Sequence, residues 1–179
     1  CLDEAYADTA PAGAVPPLDV SNPRIIRFRT FSKAYGLAGA RVGYVLGEAG
    51  VIKSYDKIRN HFGVSRITQA GALAALEDQP YLKATLEKIA AAKERIGAIV
   101  RANGLVALPS ATNFVAVDCG RDGAYARGVL GELIARDVFG RMPGGAPLDR
   151  CIRISAGTQS DLDVLAAELP QALAAAAQG

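Results

Sequence analysis

Along RIIRFRT, Arg24 to Thr30, apolar and polar side chains alternate with a period of two. Ile26, Phe28 and Thr30 fall on one face and Arg27 and Arg29 on the other, which predicts a strand. RVGYVL, Arg41 to Leu46, is bounded by Gly39 and Gly47 and predicts a second short strand beside the first. The spacing then changes. Val51, Ile52, Tyr55 and Ile58 recur at helical intervals over Glu48 to Arg59, and an Ala-rich helical pattern follows over Arg66 to Glu77, separated from the first by Asn60-His61-Phe62-Gly63. Tyr81 to Ala102 carries Leu82, Leu86, Ile89, Ile96 and Val100 with charges between them, predicting a long amphipathic helix stopped by Asn103-Gly104.

After that helix the character of the chain changes. An extended segment from 105, a strand Asn113 to Asp118, a helix Ala124 to Arg136, a short strand near Val138, a strand Cys151 to Ser155 and a helix Asp161 to Ala177 capped by Ser160 make an α+β layer. The expected organisation is therefore a unit over 1–80, a connecting helix over 81–104 and a smaller α+β domain over 105–179. The Pro-rich stretch 9–23 is an irregular connection between the opening segment and the first long strand.

Composition narrows the class. Half of the 179 residues are apolar and 21% are charged, enough for a packed core and unlike a disordered or fibrous chain. Twenty basic and 18 acidic side chains are well mixed, so no extended basic footprint suggests nucleic acid, and small molecules are the expected partners. No run of about 18 apolar residues suggests a membrane span, and the opening has no signal-type leader. Cys1, Cys119 and Cys151 are odd in number and widely spaced, without the close pairs of zinc or redox motifs. They read as reduced thiols of a cytoplasmic protein, with no metal site expected. The start without Met reads as the interior of a longer polypeptide.

The densest chemistry lies in TFSKAYGLAGARVGY. Thr30, Ser32 and Lys33 fall where a strand runs into a glycine-rich turn, with Arg41 eight residues after the lysine. Hydroxyls and a guanidinium suit a phosphate dianion. A lysine beside that cationic site is pushed toward its neutral, nucleophilic form, and such an amine forms Schiff bases. LDEAY at the start adds the Asp3 carboxylate and the Tyr6 phenol three residues apart, at the end of a further strand. A carboxylate holds a pyridine nitrogen protonated and a phenol bonds a phenolate oxygen, the two controls a pyridoxal ring needs. Taken singly, each feature also has an ordinary explanation. Ser-Lys near Arg is common on solvated loops, Asp3 and Tyr6 could be surface residues, and Arg153 could be an exposed strand residue. His61 reads as a loop or packing residue.

Taken in order, DEAY, TFSKAYGLAGARVGY, ATNFVAVD, FGRMPG and CIRISAGT resemble the second half of a fold type I pyridoxal-phosphate aminotransferase, of the histidinol-phosphate aminotransferase group. The resemblance implies an α/β fold: the C-terminal part of a mostly parallel large domain followed by a small α+β domain. It also implies that Lys33 carries the cofactor, Asp3 pairs with the ring nitrogen and Tyr6 contacts the ring oxygen. Thr30, Ser32 and Arg41 would hold the cofactor phosphate. Arg153 would bind the substrate carboxylate, and Arg141 would act on the substrate's distal group. The implied reaction moves an amino group from an amino donor to 2-oxoglutarate, in a homodimer. Two departures stand out. Gly140 occupies a position where a branched apolar residue is expected, and RNHFGVSRITQAG differs from the usual sequence after the lysine strand. The family's amino-terminal half, with its glycine-rich phosphate loop, stacking aromatic and asparagine, lies outside this sequence. Three other readings stay open: a decarboxylase of the same family acting on a phosphorylated amino acid, a non-catalytic ligand sensor, and a folded but inert fragment.

Overall fold

The computed structural model describes residues 1–178. It divides into two compact units, Cys1–Glu87 and the remainder from Lys88, with the division inside a helix rather than at either of its ends.

The first unit is organised by a three-stranded sheet in the order β1 (Leu2–Asp3), β2 (Arg27–Thr30), β3 (Gly43–Leu46). β1 and β2 run parallel, with Leu2 beside Arg27 and Asp3 beside Phe28, while β2 and β3 pair antiparallel from Arg27 opposite Leu46 to Thr30 opposite Gly43. The second strand starts two residues later than the pattern predicts because Arg41 adopts a left-handed backbone, φ 53° and ψ 51°, which no strand accommodates. Gly43 is required by close approach, since a Cβ there would lie 2.6 Å from the Arg29 carbonyl oxygen. The helix expected over Glu48 to Arg59 is shorter: α1 (Ala49–Ser54) gives way to a 3-10 turn at Tyr55–Lys57. α2 (Arg66–Glu77) has the predicted bounds and is capped by Ser65, whose hydroxyl accepts the Thr68 amide at 3.1 Å.

The long helix α3 (Gln79–Ala102) begins two residues before the predicted start, because the Asp78 carboxylate caps it by accepting the Tyr81 amide at 3.0 Å and Pro80 sits in the first turn. It ends at Gly104, which takes the positive φ of 72° that such an exit needs.

The second unit carries an antiparallel sheet in the order β4 (Val106–Ala107), β5 (Phe114–Asp118), β6 (Cys151–Ser155). Alternation places Val115 and Val117 with Ile152 and Ile154 on one face. There they pack with Ile96 and Val100 of α3, Val129 and Leu133 of α4 (Gly123–Ile134), and Leu165 and Leu169 of α5 (Gln159–Ala176). The opposite face carries Phe114, Ala116 and Arg153. Two local expectations are corrected. α5 is capped by Thr158 rather than Ser160, in a reciprocal box where the Asp161 carboxylate accepts the Thr158 amide at 2.7 Å. No strand forms at Val138: Asp137 turns left-handed to close α4, and the chain pairs with β6 through an isolated bridge between Arg141 and Arg153.

Candidate active site

Parallel strands deliver their C-terminal ends to one side of a sheet, and that edge is where open α/β sheets bind ligands. β1 and β2 are such a pair. Just beyond them lie Glu4 to Tyr6 on one strand and Phe31 to Lys33 on the other. The pairing of Asp3 with Phe28 and the period of two put Asp3 and Thr30 on the same face. Asp3 is exposed, and one of its oxygens accepts the Ala5 amide at 3.0 Å, which holds the turn that follows.

The Thr30 hydroxyl donates to Ser32 Oγ at 2.9 Å and accepts the Ser32 amide at 3.1 Å, so the two hydroxyls are locked together at the end of β2. Phe31 points the other way. It is buried against Tyr35 and Tyr44, with ring centroids 4.9 and 5.6 Å away, and anchors the turn. Lys33 is thereby presented with its Nζ 5.0 Å from the centroid of the Tyr6 ring, a cation on a π face. Lys33 and Tyr6, 27 residues apart in sequence, are the pair that the structure brings together most directly. Arg41 lies exposed at the far end of the glycine-rich turn, its Nη1 donating to the Ala38 carbonyl at 2.9 Å.

Beneath this edge, on the other face of the sheet, lies a charge cluster that pattern reading does not single out. Glu4 follows Asp3 and is almost fully buried. Its carboxylate accepts Arg27 Nε at 2.6 Å and Arg29 Nε at 2.9 Å. Arg27 is only 3% exposed and also donates to the carbonyls of Pro17 at 2.9 Å and Pro16 at 2.8 Å. Burial alone would raise the Glu4 pKa, but the hydrogen bonds and charges of the two arginines hold it below its ordinary value. The only signal in the sequence is an acid in one strand and two arginines at i and i+2 in the next. It has meaning only once the register sets Glu4 beside them.

In the second unit, Arg141 and Arg153 face one another across their bridge and exchange both backbone bonds, Arg141 N to Arg153 O at 3.2 Å and Arg153 N to Arg141 O at 2.6 Å. Two cations directly opposite on one face repel. Each guanidinium lies instead on an aromatic ring, Arg153 on Phe114 at 4.6 Å and Arg141 on Phe139 at 5.7 Å. The Nε of Arg153 is buried without a hydrogen-bond partner. A buried guanidinium donor without a partner beside a second cation is a group that an anion would satisfy. Gly140 lies beside α4, where a Cβ would come 3.0 Å from Leu130 Cδ1, so a larger residue would need the leucine side chain to shift slightly. His61 is exposed in the loop before α2, and among the described residues no group of three His, Cys, Asp or Glu could hold a metal ion.

The model of the family described as aminotransferase class I and II matches residues 1–169. The chain belongs to this aminotransferase family. Histidinol-phosphate aminotransferase of Geobacillus thermodenitrificans is 37% identical over 165 residues, covering 90% of this chain and 44% of that enzyme. The corresponding enzyme of Geobacter sulfurreducens is 35% identical over 171 residues, covering 95% and 48%. The crystal structure of histidinol-phosphate aminotransferase from Sinorhizobium meliloti, in complex with pyridoxal 5'-phosphate, superposes with a TM-score of 0.94 at 56% identity over 97% of this chain and 48% of that one. L-threonine-O-3-phosphate decarboxylase of Porphyromonas gingivalis superposes with a TM-score of 0.79 at 18% identity, a likeness of fold alone. The chain thus spans about half the length of the relatives it matches, and its α/β fold is part of the fold type I architecture. Among the described residues no helix is long and apolar enough to cross a membrane.

Proposed function

We propose that this chain is the cofactor-anchoring part of a pyridoxal-phosphate-dependent aminotransferase of the histidinol-phosphate type, moving an amino group from an amino donor to a 2-oxo acid such as 2-oxoglutarate. The observation that carries the proposal is the placement of Lys33 over the Tyr6 ring, 5.0 Å away, immediately after two interlocked hydroxyls and beside the strand end that bears Asp3. The donor set suits the cofactor: two hydroxyls and an exposed guanidinium for a phosphate, an amine for an aldehyde, a carboxylate for a pyridine nitrogen and a phenol for the ring oxygen.

Pyridoxal phosphate contributes an aldehyde on a pyridinium ring, which condenses with primary amines and withdraws electrons from the carbon they carry. Thr30, Ser32 and Arg41 bind the phosphate. Asp3 keeps the ring nitrogen protonated, and Tyr6 donates to the ring oxygen. Lys33 would hold the cofactor through its Nζ, and the same Nζ, when free, would serve as the base that takes the proton from the substrate α-carbon. Arg153 holds the substrate carboxylate, answering its unsatisfied Nε, and Arg141 binds the distal group. A homodimer, which the family resemblance implies, is the working form in this proposal, and free thiols at all three cysteines suit a cytoplasmic setting.

The test uses the protein as the cell makes it. Incubation with pyridoxal phosphate, borohydride reduction and peptide mapping are expected to give a pyridoxyl group on Lys33 and none in Lys33→Ala, which also loses turnover by about a thousandfold or more. Keto product that forms only with a 2-oxo acid acceptor identifies transamination. Carbon dioxide released without one would assign a decarboxylase instead, and normal turnover by Lys33→Ala would overturn the proposal outright.

A further inference from the structure

Glu4 lies between Asp3, at the end of β1, and Tyr6, in the turn after it, yet its side chain points to the other face of the sheet. Register and alternation place Asp3 with Phe28 and Thr30 on one face of the sheet, and Glu4 with Arg27 and Arg29 on the other. Its backbone fixes the path from Asp3 to Tyr6: the Glu4 amide donates to Phe28 O at 2.9 Å and its carbonyl accepts the Ala7 amide at 3.0 Å. β1 is two residues long, so backbone pairing alone holds it weakly; Leu2 N donates to Ile26 O at 2.8 Å and Glu4 N to Phe28 O at 2.9 Å at its two ends. The side chain supplies what the backbone lacks. It grips Arg27, which is tied in turn to Pro16 and Pro17, and Arg29 on the same face.

Resting on the function proposed above, we infer that Glu4 is a positioning residue. By clamping Arg27 and Arg29 from beneath the sheet, its carboxylate sets the β1 end that bears Asp3 and Tyr6 against the β2 end that bears Lys33. Without the carboxylate, two arginines at alternate positions of one strand repel each other across an uncompensated, largely buried face. The end of β1 then shifts relative to Lys33, and a shift of about 1 Å away from the chemistry is enough to cost about a hundredfold in rate.

Two variants of the cofactor-loaded protein test this, Glu4→Gln and Arg29→Gln. The second removes one arm of the clamp at a partly exposed side chain, so it decides the matter where the first does not fold. The readouts are the pH midpoint of the bound cofactor's visible absorbance, which reports how Asp3 and Tyr6 are set against Lys33, and kcat and KM for the 2-oxo acid. A displaced midpoint, kcat lower by about ten- to a hundredfold and a nearly unchanged KM are expected, because the substrate arginines lie in the other unit. Folded variants that titrate and turn over like the parent protein would overturn the inference while leaving the function intact. Absence of the absorbance band from the parent protein, or its persistence in Lys33→Ala, would refute the function and the inference with it.

Discussion

Replacing Arg153 with methionine separates a ligand-binding arginine from a structural one, because the two roles predict opposite signs. Methionine keeps the apolar stem on Phe114 while removing the guanidinium. In the ligand-free protein the buried, unpartnered Nε costs about 1–3 kcal/mol, and the repulsion from Arg141 directly opposite adds up to about 1 kcal/mol. Against this, the contact with the Phe114 face, 4.6 Å from the ring centroid, contributes about 0.5–1 kcal/mol. The balance favours the variant by roughly 0–3.5 kcal/mol, each kcal/mol raising Tm by about 2–4 °C for a chain of 179 residues. Catalysis moves the other way. Removing one partner of a hydrogen-bonded charge pair costs about 2–5 kcal/mol, so kcat/KM for the 2-oxo acid falls by about thirtyfold or more. Thermal and urea unfolding of the cofactor-free protein, set beside steady-state kinetics of the loaded enzyme, check both arms. A variant that loses about 1 kcal/mol or more of stability and keeps its kcat/KM would show that Arg153 serves the strand and not a substrate.

Two further outcomes follow from ionisation. Glu4 keeps its charge in the folded protein to a lower pH than in the unfolded chain, so its contribution is full above its ordinary 4.5 and fades as the pH falls through the lower folded value. Unfolding free energy measured from pH 6 down to pH 3 should therefore drop less steeply in Glu4→Gln, and parallel curves would contradict the assignment. Burial pushes the Cys119 thiol up to about 11 and the Cys151 thiol upward as well, while Cys1 is exposed. Iodoacetamide at pH 8 should label Cys1 alone in the native protein and all three in denaturant, as read by peptide mass. Native labelling of Cys119 or Cys151 at the Cys1 rate would refute the buried placement.

Short-range chemistry made much of this architecture legible. β6 and α2 have the predicted bounds, because strand alternation in CIRIS and helical spacing after Ser65 are local signals. The discrepancies arise where backbone geometry overrides pattern. Arg41 and Asp137 turn left-handed, so a strand starts late in one place and does not form in another. Thr158 caps α5 because it, and not Ser160, stands three residues before the acid that closes the box. The Lys33–Tyr6 and Thr30–Ser32 contacts join residues that their types and order already single out. Glu4 is not singled out in this way, because its partners stand 23 and 25 residues away and the pairing exists only when β1 docks in register. The repulsive pairing of Arg141 with Arg153 is hidden for the same reason, since it follows from a bridge outside the regular strands.

The left-handed backbone at Arg41 has a practical consequence for anyone engineering this protein in the laboratory. A side chain there costs about 1–2 kcal/mol that glycine would not incur. Directed evolution scored on heat resistance alone tolerates glycine at 41, whereas the proposed phosphate contact requires the guanidinium. Libraries should hold position 41 fixed, or every round of selection should include turnover.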